Sequence, residues 1–202
     1  MSFKTPNKPL SVLYVQCELP EPELKKRAKL MVGSVPQAAN HTGKLWLWTE
    51  HYLKLDTNAG YGLLDKHVEA LKPDLVIIDP IYKVLSGSML EYGDVLPFLD
   101  RMDSLLSRRG VAVMLISHPR KGGPDESGAD DMLGSSLFPD WADTTIRVSR
   151  VGGTQYHETL KLEFPKVRYA EELMDDLTVT IDRRTLAMSA SAISITEERK
   201  ET

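Results

Sequence analysis

The stretch Leu75-Val-Ile-Ile-Asp79-Pro80 decides the reading of this chain. Four apolar residues run together and stop on a carboxylate. A strand covered on both faces of a parallel sheet carries a continuous apolar run, whereas a half-solvated strand alternates. An acid at the end of such a run stands at the carboxyl end of its strand. Open α/β sheets bind their ligands outside that edge. The plainer alternative is an Asp that only opens the turn before Pro80.

Working outward, Ser11-Val-Leu-Tyr-Val-Gln-Cys17 reads as a first buried strand that ends at Glu18. Pro20 and Pro22 flank a helix start, where Glu21 and Glu23 suit the positive end of the helix dipole. Leu24, Ala28 and Met31 share one face of that helix, with Lys25, Lys26 and Lys29 off it. Leu45-Trp-Leu-Trp48 is a short second strand. A helix follows over about residues 59–71, carrying Leu63, Leu64, His67, Val68 and Leu71. After strand 75–79, Asp94 is placed to cap a helix with a core face of Val95, Leu99, Met102 and Leu106, and Gly110 to end it. Val111-Ala-Val-Met-Leu-Ile116 is another buried strand, followed by Ser117-His118. Strands alternating with helices of this length predict βαβ units and a parallel sheet with helices on both faces.

Beyond His118 the texture changes. Residues 119–131 are rich in Gly, Pro and charge and read as a mobile loop. Thr144–Val151 and Gln155–Phe164 around Gly152-Gly153 predict a hairpin, and Leu177–Ile181 with Leu186–Ser189 a second one. The charged end, 196–202, reads as a frayed tail.

At 202 residues the chain is long enough for one α/β domain with a sizeable core. Apolar residues make up 42% and charged residues 27%, as in ordinary globular proteins. No apolar run approaches membrane-spanning length, and the N-terminus lacks a secretory pattern, so no membrane partner and a cytoplasmic location are expected. The single cysteine, Cys17, reads as a small buried residue of a reducing compartment. A net charge of −4 provides no global basic field for nucleic acid, so such a contact needs a local patch or an oligomer. The five histidines have no metal-ligand spacing. Trp46 and Trp48 share one strand face and suit packing better than base stacking.

Three strands thus end on polar groups: Glu18, Asp79 and Ser117-His118. Parallel strands bring their carboxyl ends to one edge, so Glu18, Asp79 and His118 are expected around one crevice. A metal-facing Asp, a carboxylate for an attacking water and a polar group for the γ-phosphate form a coherent set for nucleotide hydrolysis. Each has a plainer alternative: Glu18 as an exposed acid before Pro20, His118 as a loop residue before Pro119.

The pieces Val12-Leu-Tyr-Val-Gln-Cys-Glu18-Leu-Pro20, Pro73-Asp-Leu-Val-Ile-Ile-Asp79-Pro80, Val113-Met-Leu-Ile-Ser-His118-Pro-Arg-Lys121-Gly122 and Leu133-Gly-Ser-Ser136 resemble, in order and spacing, the RecA-like ATPases of the hexameric helicase group, the RepA-like and AAA-family ATPases. The resemblance covers about residues 10–170. It implies a RecA-like P-loop NTPase core followed by antiparallel hairpins, read as a single domain over 1–202, with ATP and Mg²⁺ as cofactors. It casts Glu18 as the catalytic glutamate, Asp79 as the Walker B aspartate facing Mg²⁺ through water, and His118 as the strand-end sensor. Lys166-Val-Arg168 resembles the Lys-x-Arg pair that ring helicases present to the neighbouring subunit's site, with Arg168 as finger; solvated strand-end charges are the alternative. Both residues are then expected to be exposed in a lone subunit. The resemblance implies a homo-oligomeric ring in which Arg120 and Lys121 stand in a strand-end loop of the kind that grips single-stranded DNA in the pore; the acids of the same loop oppose a strong grip, and a solvated loop is the plainer alternative.

One departure from the family is decisive. No G-x-x-x-x-G-K-[ST] occurs, and neither Gly33-Ser-Val nor Gly43-Lys44-Leu replaces it. The chain is therefore expected to lack the family's P-loop strand and helix, to expose strand edges that these would cover, and to resemble a family member without its N-terminal third. Two functions follow. One is a replicative-helicase-type ATPase, inactive alone; the other is a non-catalytic RecA-like assembly module.

Overall fold

A computed structural model describes residues 8–35, 43–118, 136–171 and 174–192. The loop expected over 119–131, with Arg120 and Lys121, and the tail over 196–202 lie outside the described residues. Two compact units emerge: Pro6–Lys25 with Thr42–Trp141, and Met1–Thr5 and Lys26–His41 with Ala142–Thr202. Among the described residues, no helix is long and apolar enough to cross a membrane.

The first unit is built on four parallel strands, β1 (Val12–Gln16), β2 (Leu45–Thr49), β3 (Leu75–Asp79) and β4 (Ala112–Leu115), in the order β2-β1-β3-β4. Helix α1 (Glu21–Gly33) follows β1 and is divided between the two units after Lys25, α2 (Asn58–Leu71) connects β2 to β3, α3 (Tyr92–Arg109) connects β3 to β4, and a short α4 (Leu137–Trp141) follows β4. One continuous core joins Leu13 and Val15 of β1, Val76 and Ile78 of β3, Leu64 and Val68 of α2, and five buried residues of α3. Trp46 and Trp48 lean on this core, and Trp48 stacks on His67 at 4.2 Å between ring centroids. Their packing role is as expected.

The apolar runs are not buried on both faces. β3 alternates: Val76 and Ile78 are fully buried, while Leu75 and Ile77 are half-buried. β1 shows the same pattern, and Met114 of the edge strand β4 is 41% exposed. The cause is that α2 and α3 pack on one and the same face, so residues of the other parity lack an equal cover. Among the described residues β2 and β4 form the two borders of this sheet.

Three further local expectations are corrected. Asp94 is not the N-cap of α3; Glu91 is, and Asp94 in the first turn accepts the Ser88 N–H at 2.8 Å. The core face of α3 takes Phe98 and Leu105, and Leu106 is only partly buried. Of the α1 stripe, Leu24 is buried, but Met31 is 44% exposed. Gly110 ends α3 as expected, in the left-handed region at φ 63°, and Thr57, not singled out from sequence, caps α2 by accepting the Gly60 N–H at 3.1 Å.

The second unit holds an antiparallel meander, β5 (Thr144–Gly153), β6 (His157–Val167), β7 (Leu177–Asp182) and β8 (Met188–Ala192), paired in chain order. Both hairpins occur where the sequence places them. Gly153 turns the first at φ 148°, where a Cβ would lie 2.7 Å from the His157 carbonyl oxygen, so only glycine fits without strain. Side chains alternate across this sheet. Leu160, Leu162, Val179 and Ile181 take one parity, and Lys161, Thr178 and Thr180 the other.

Candidate active site

The register of the parallel sheet makes the site. Gln16 stands directly opposite Asp79, and the pairing continues one step beyond the strands: Cys17 N–H donates to the Asp79 carbonyl at 2.9 Å, and Ile81 N–H to the Ile116 carbonyl at 2.9 Å. Chains leaving β1, β3 and β4 therefore emerge on one edge, carrying Glu18, Asp79 and His118. β2 ends there too. Thr49 lies opposite Gln16, and its hydroxyl is buried without a hydrogen-bond partner among the described residues.

Two carboxylates meet two phenols at this edge. The Asp79 carboxylate accepts the Tyr14 hydroxyl and lies 3.5 Å from the amide nitrogen of Gln16. Gln16 is a buried polar side chain, 3% exposed. Its carbonyl oxygen accepts the backbone N–H of Glu18 and of Leu19, the latter at 3.2 Å. That local turn fixes where Glu18 leaves the strand. One oxygen of Glu18 accepts the Tyr82 hydroxyl, and the other lies 3.7 Å from His118 Nε2. The pair is an ion pair whenever the imidazole is protonated. Tyr82 and His118 rings sit 6.3 Å apart, tilted. Glu18 and His118 remain open to solvent, with side chains 34% and 53% exposed.

Tyr14, Gln16, Tyr82 and Thr49 belong to this edge and were not singled out from sequence. Gln16 carried a usable signal: it is a polar residue at the end of an apolar strand, two positions before Glu18. Tyr14 reads as one more core residue until the register is known. Cys17, beside the site, is 2% exposed, and burial first, then the charges of Asp79 and Glu50, push its thiol up to about 11. It is an inert packing group.

Lys166 and Arg168 belong to the second unit. Arg168 is exposed as expected, and its guanidinium and backbone N–H both bond Asp143, each at 2.8 Å. Lys166 is half-buried rather than exposed. It stands within the β5–β6 ladder opposite Thr145 and does not project from a strand end.

A parallel sheet flanked by helices, with an acid closing a central strand at the ligand-binding edge, is the α/β arrangement in which nucleotide-hydrolysing folds carry their Walker B aspartate. Residues 2–124 match the family described as AAA domain, and the chain belongs to that family of RecA-like P-loop NTPases. The match contains Glu18, Asp79 and His118 and stops before Lys166 and Arg168. No curated protein matches the chain.

The family implies nucleotide binding, and the edge fits a nucleotide in one half only. Asp79 and Glu18 offer acceptors for metal-bound and attacking water. Among the described residues, no group of three or more His, Cys, Asp or Glu could hold a metal directly. The phosphate side does not fit. Lys54 Nζ is committed to the carbonyls of Lys83 and Leu85, each at 2.7 Å, and Lys83 lies 5.5 Å from the Tyr82 ring centre. No glycine-rich strand-to-helix loop adjoins them among the described residues to supply a nest of N–H groups.

Proposed function

We propose that this chain is the metal- and water-facing part of an AAA-type ATPase of the ring-helicase kind, which couples ATP hydrolysis to action on nucleic acid. The observation that carries this reading is the convergence of Glu18, Asp79 and His118 on one edge of one sheet. On this reading Glu18 would be the acceptor for an attacking water, Asp79 the acceptor toward the water shell of a bound Mg²⁺, and His118 the polar group available to a terminal phosphate; the nucleotide and its metal would supply the phosphoryl group and the charge that stabilises its transfer. Arg168 serves a neighbouring copy across a ring interface, which requires it to leave Asp143.

The absence of a G-x-x-x-x-G-K-[ST] motif makes the chain by itself insufficient for tight ATP binding. That same absence favours a second reading, a non-catalytic assembly module of the same fold. Calorimetric titration with Mg²⁺–ATP tests the half-site. The expected dissociation constant is weaker than about 1 mM, whereas a micromolar value, about −8 kcal/mol, would contradict it and require a phosphate cradle within these residues.

A further inference from the structure

The two hairpin ends of the second unit meet at an open pocket of about 410 Å³, lined by Gln155, Tyr156, His157, Asp182, Arg183 and Arg184. β6 pairs with β7 through His157 and Asp182, so the β5–β6 and β7–β8 turns lie side by side. Both turns are internally braced. Thr154 Oγ1 accepts the N–H of Tyr156 and of His157, at 3.2 and 3.1 Å. Asp182 accepts the N–H of Arg184 and Thr185, at 2.9 and 2.7 Å, and the Thr185 hydroxyl at 2.9 Å. Arg183 N–H donates to the Tyr156 carbonyl at 2.8 Å and ties one turn to the other.

What the braced turns present is an aromatic ring beside positive charge. Tyr156 is 67% exposed. The nearby acids are already engaged: Asp182 by its own turn, with His157 Nε2 at 3.8 Å, and Glu158 between Arg150 at 3.4 Å and Arg183 at 3.5 Å. Arg184 makes no side-chain hydrogen bond or ion pair among the described residues.

We infer that this pocket binds single-stranded nucleic acid, with a base stacked on Tyr156, one adjoining phosphate on Arg184 and the next on Arg183, whose guanidinium then turns from Glu158, an acid that Arg150 also holds. An exposed ring can stack only on a base that is free of its own neighbour, which selects single strands over duplex. A guanidinium forks onto phosphate oxygens. The site lies outside the residues that match the AAA family. It rests on the nucleic-acid part of the function proposed above and gives that part a place in the fold.

Fluorescence anisotropy with a labelled oligo(dT) of about 20 nucleotides at ~50 mM salt tests the site. Wild-type chain is expected to bind, and Tyr156→Ala to weaken binding roughly 5- to 100-fold, with Tyr156→Phe close to wild type because the ring is kept. Arg183→Ala with Arg184→Ala should flatten the dependence of log affinity on log salt by about 0.7 per phosphate contact removed. Ultraviolet crosslinking should place the oligonucleotide on the peptide containing Tyr156. Thermal melts check that the variants fold. Wild-type binding that none of these substitutions moves would overturn the site and leave the proposed function standing. No binding by wild type would overturn the site together with the nucleic-acid part of the proposed function, while the nucleotide half-site stands or falls on its own ATP test. Equal affinity for duplex, or displacement by a mononucleotide at matched concentration, would overturn the single-strand assignment.

Discussion

Ile77 and Ile78 are neighbours in one apolar run and read alike in sequence, yet they should differ sharply on truncation. Ile78 is fully buried, one position before Asp79, and pairs across the sheet with Val15 and Leu115. Ile77 faces the other side and is half-buried. Ile78→Ala removes three carbons from the core, about 2.4 kcal/mol at ~0.8 per buried carbon group. The unfilled cavity raises the total to about 3–5 kcal/mol. Ile77→Ala loses only part of that transfer term and leaves no closed void, so about 1 kcal/mol is expected. Urea unfolding followed by tryptophan fluorescence is the assay, because all three tryptophans, Trp46, Trp48 and Trp141, lie in the unit that holds the parallel sheet. Each ΔΔG follows from the shift in midpoint at constant slope. Equal losses for the two variants would refute the one-sided packing described above.

Asp65 accepts two hydrogen bonds from Arg109, at 2.9 and 2.8 Å, which hold its carboxyl below the usual carboxylate range and tie α2 to α3. A depressed folded pKa contributes stability above the unfolded value, near about 4, that is lost as pH falls through the folded one. The stability gap between wild type and Asp65→Asn should therefore be present at neutral pH and close in acid; a gap independent of pH counts against the linkage. For Cys17, a thiol pKa of about 11 and near-complete burial predict slow alkylation at pH 8 until urea unfolds the chain. Fast labelling in native buffer would show that the strand end opens readily. Gly60→Ala should destabilise the start of α2, because a Cβ there would lie 2.0 Å from the Lys54 carbonyl oxygen. Thermal denaturation reads the loss, and an unchanged midpoint would mean that the Lys54 turn gives way freely.

Much of the fold is legible because the signals are local. The apolar runs of β1, β3 and β4, the helical spacing of α2 and α3, and the Gly152-Gly153 turn each need only neighbours in sequence. Which face of the sheet the helices cover is not local. The runs at 75–78 and 112–115 look the same whether one face is packed or two. Helix α4 has five residues with Pro139 inside it, too short for a periodic signal. It is held instead by tertiary contacts, Phe138 edge-on to Phe98 at 6.4 Å and Trp141 Nε1 donating to Asp103 at 2.7 Å. The site divides in the same way. Glu18, Asp79 and His118 follow from where strands end. Tyr14 and Tyr82 as partners of Asp79 and Glu18 depend on strand register and on the turn after Pro80, which no spacing rule supplies. The Asp143 partner of Arg168 is likewise a product of the β5–β6 pairing.

The central claim is that the edge bearing Glu18, Asp79 and His118 is the metal-facing half of a nucleotide site. Its most direct test is paramagnetic broadening by Mn²⁺–ATP in nuclear magnetic resonance spectra, which detects weak binding as well as strong. The account predicts selective broadening of Gln16, Cys17, Asp79 and His118 signals when Mn²⁺ and ATP are both present, abolished by Asp79→Asn. Broadening that ignores this edge, or that survives Asp79→Asn unchanged, would contradict it and leave the chain as a RecA-like assembly module without a metal-facing site.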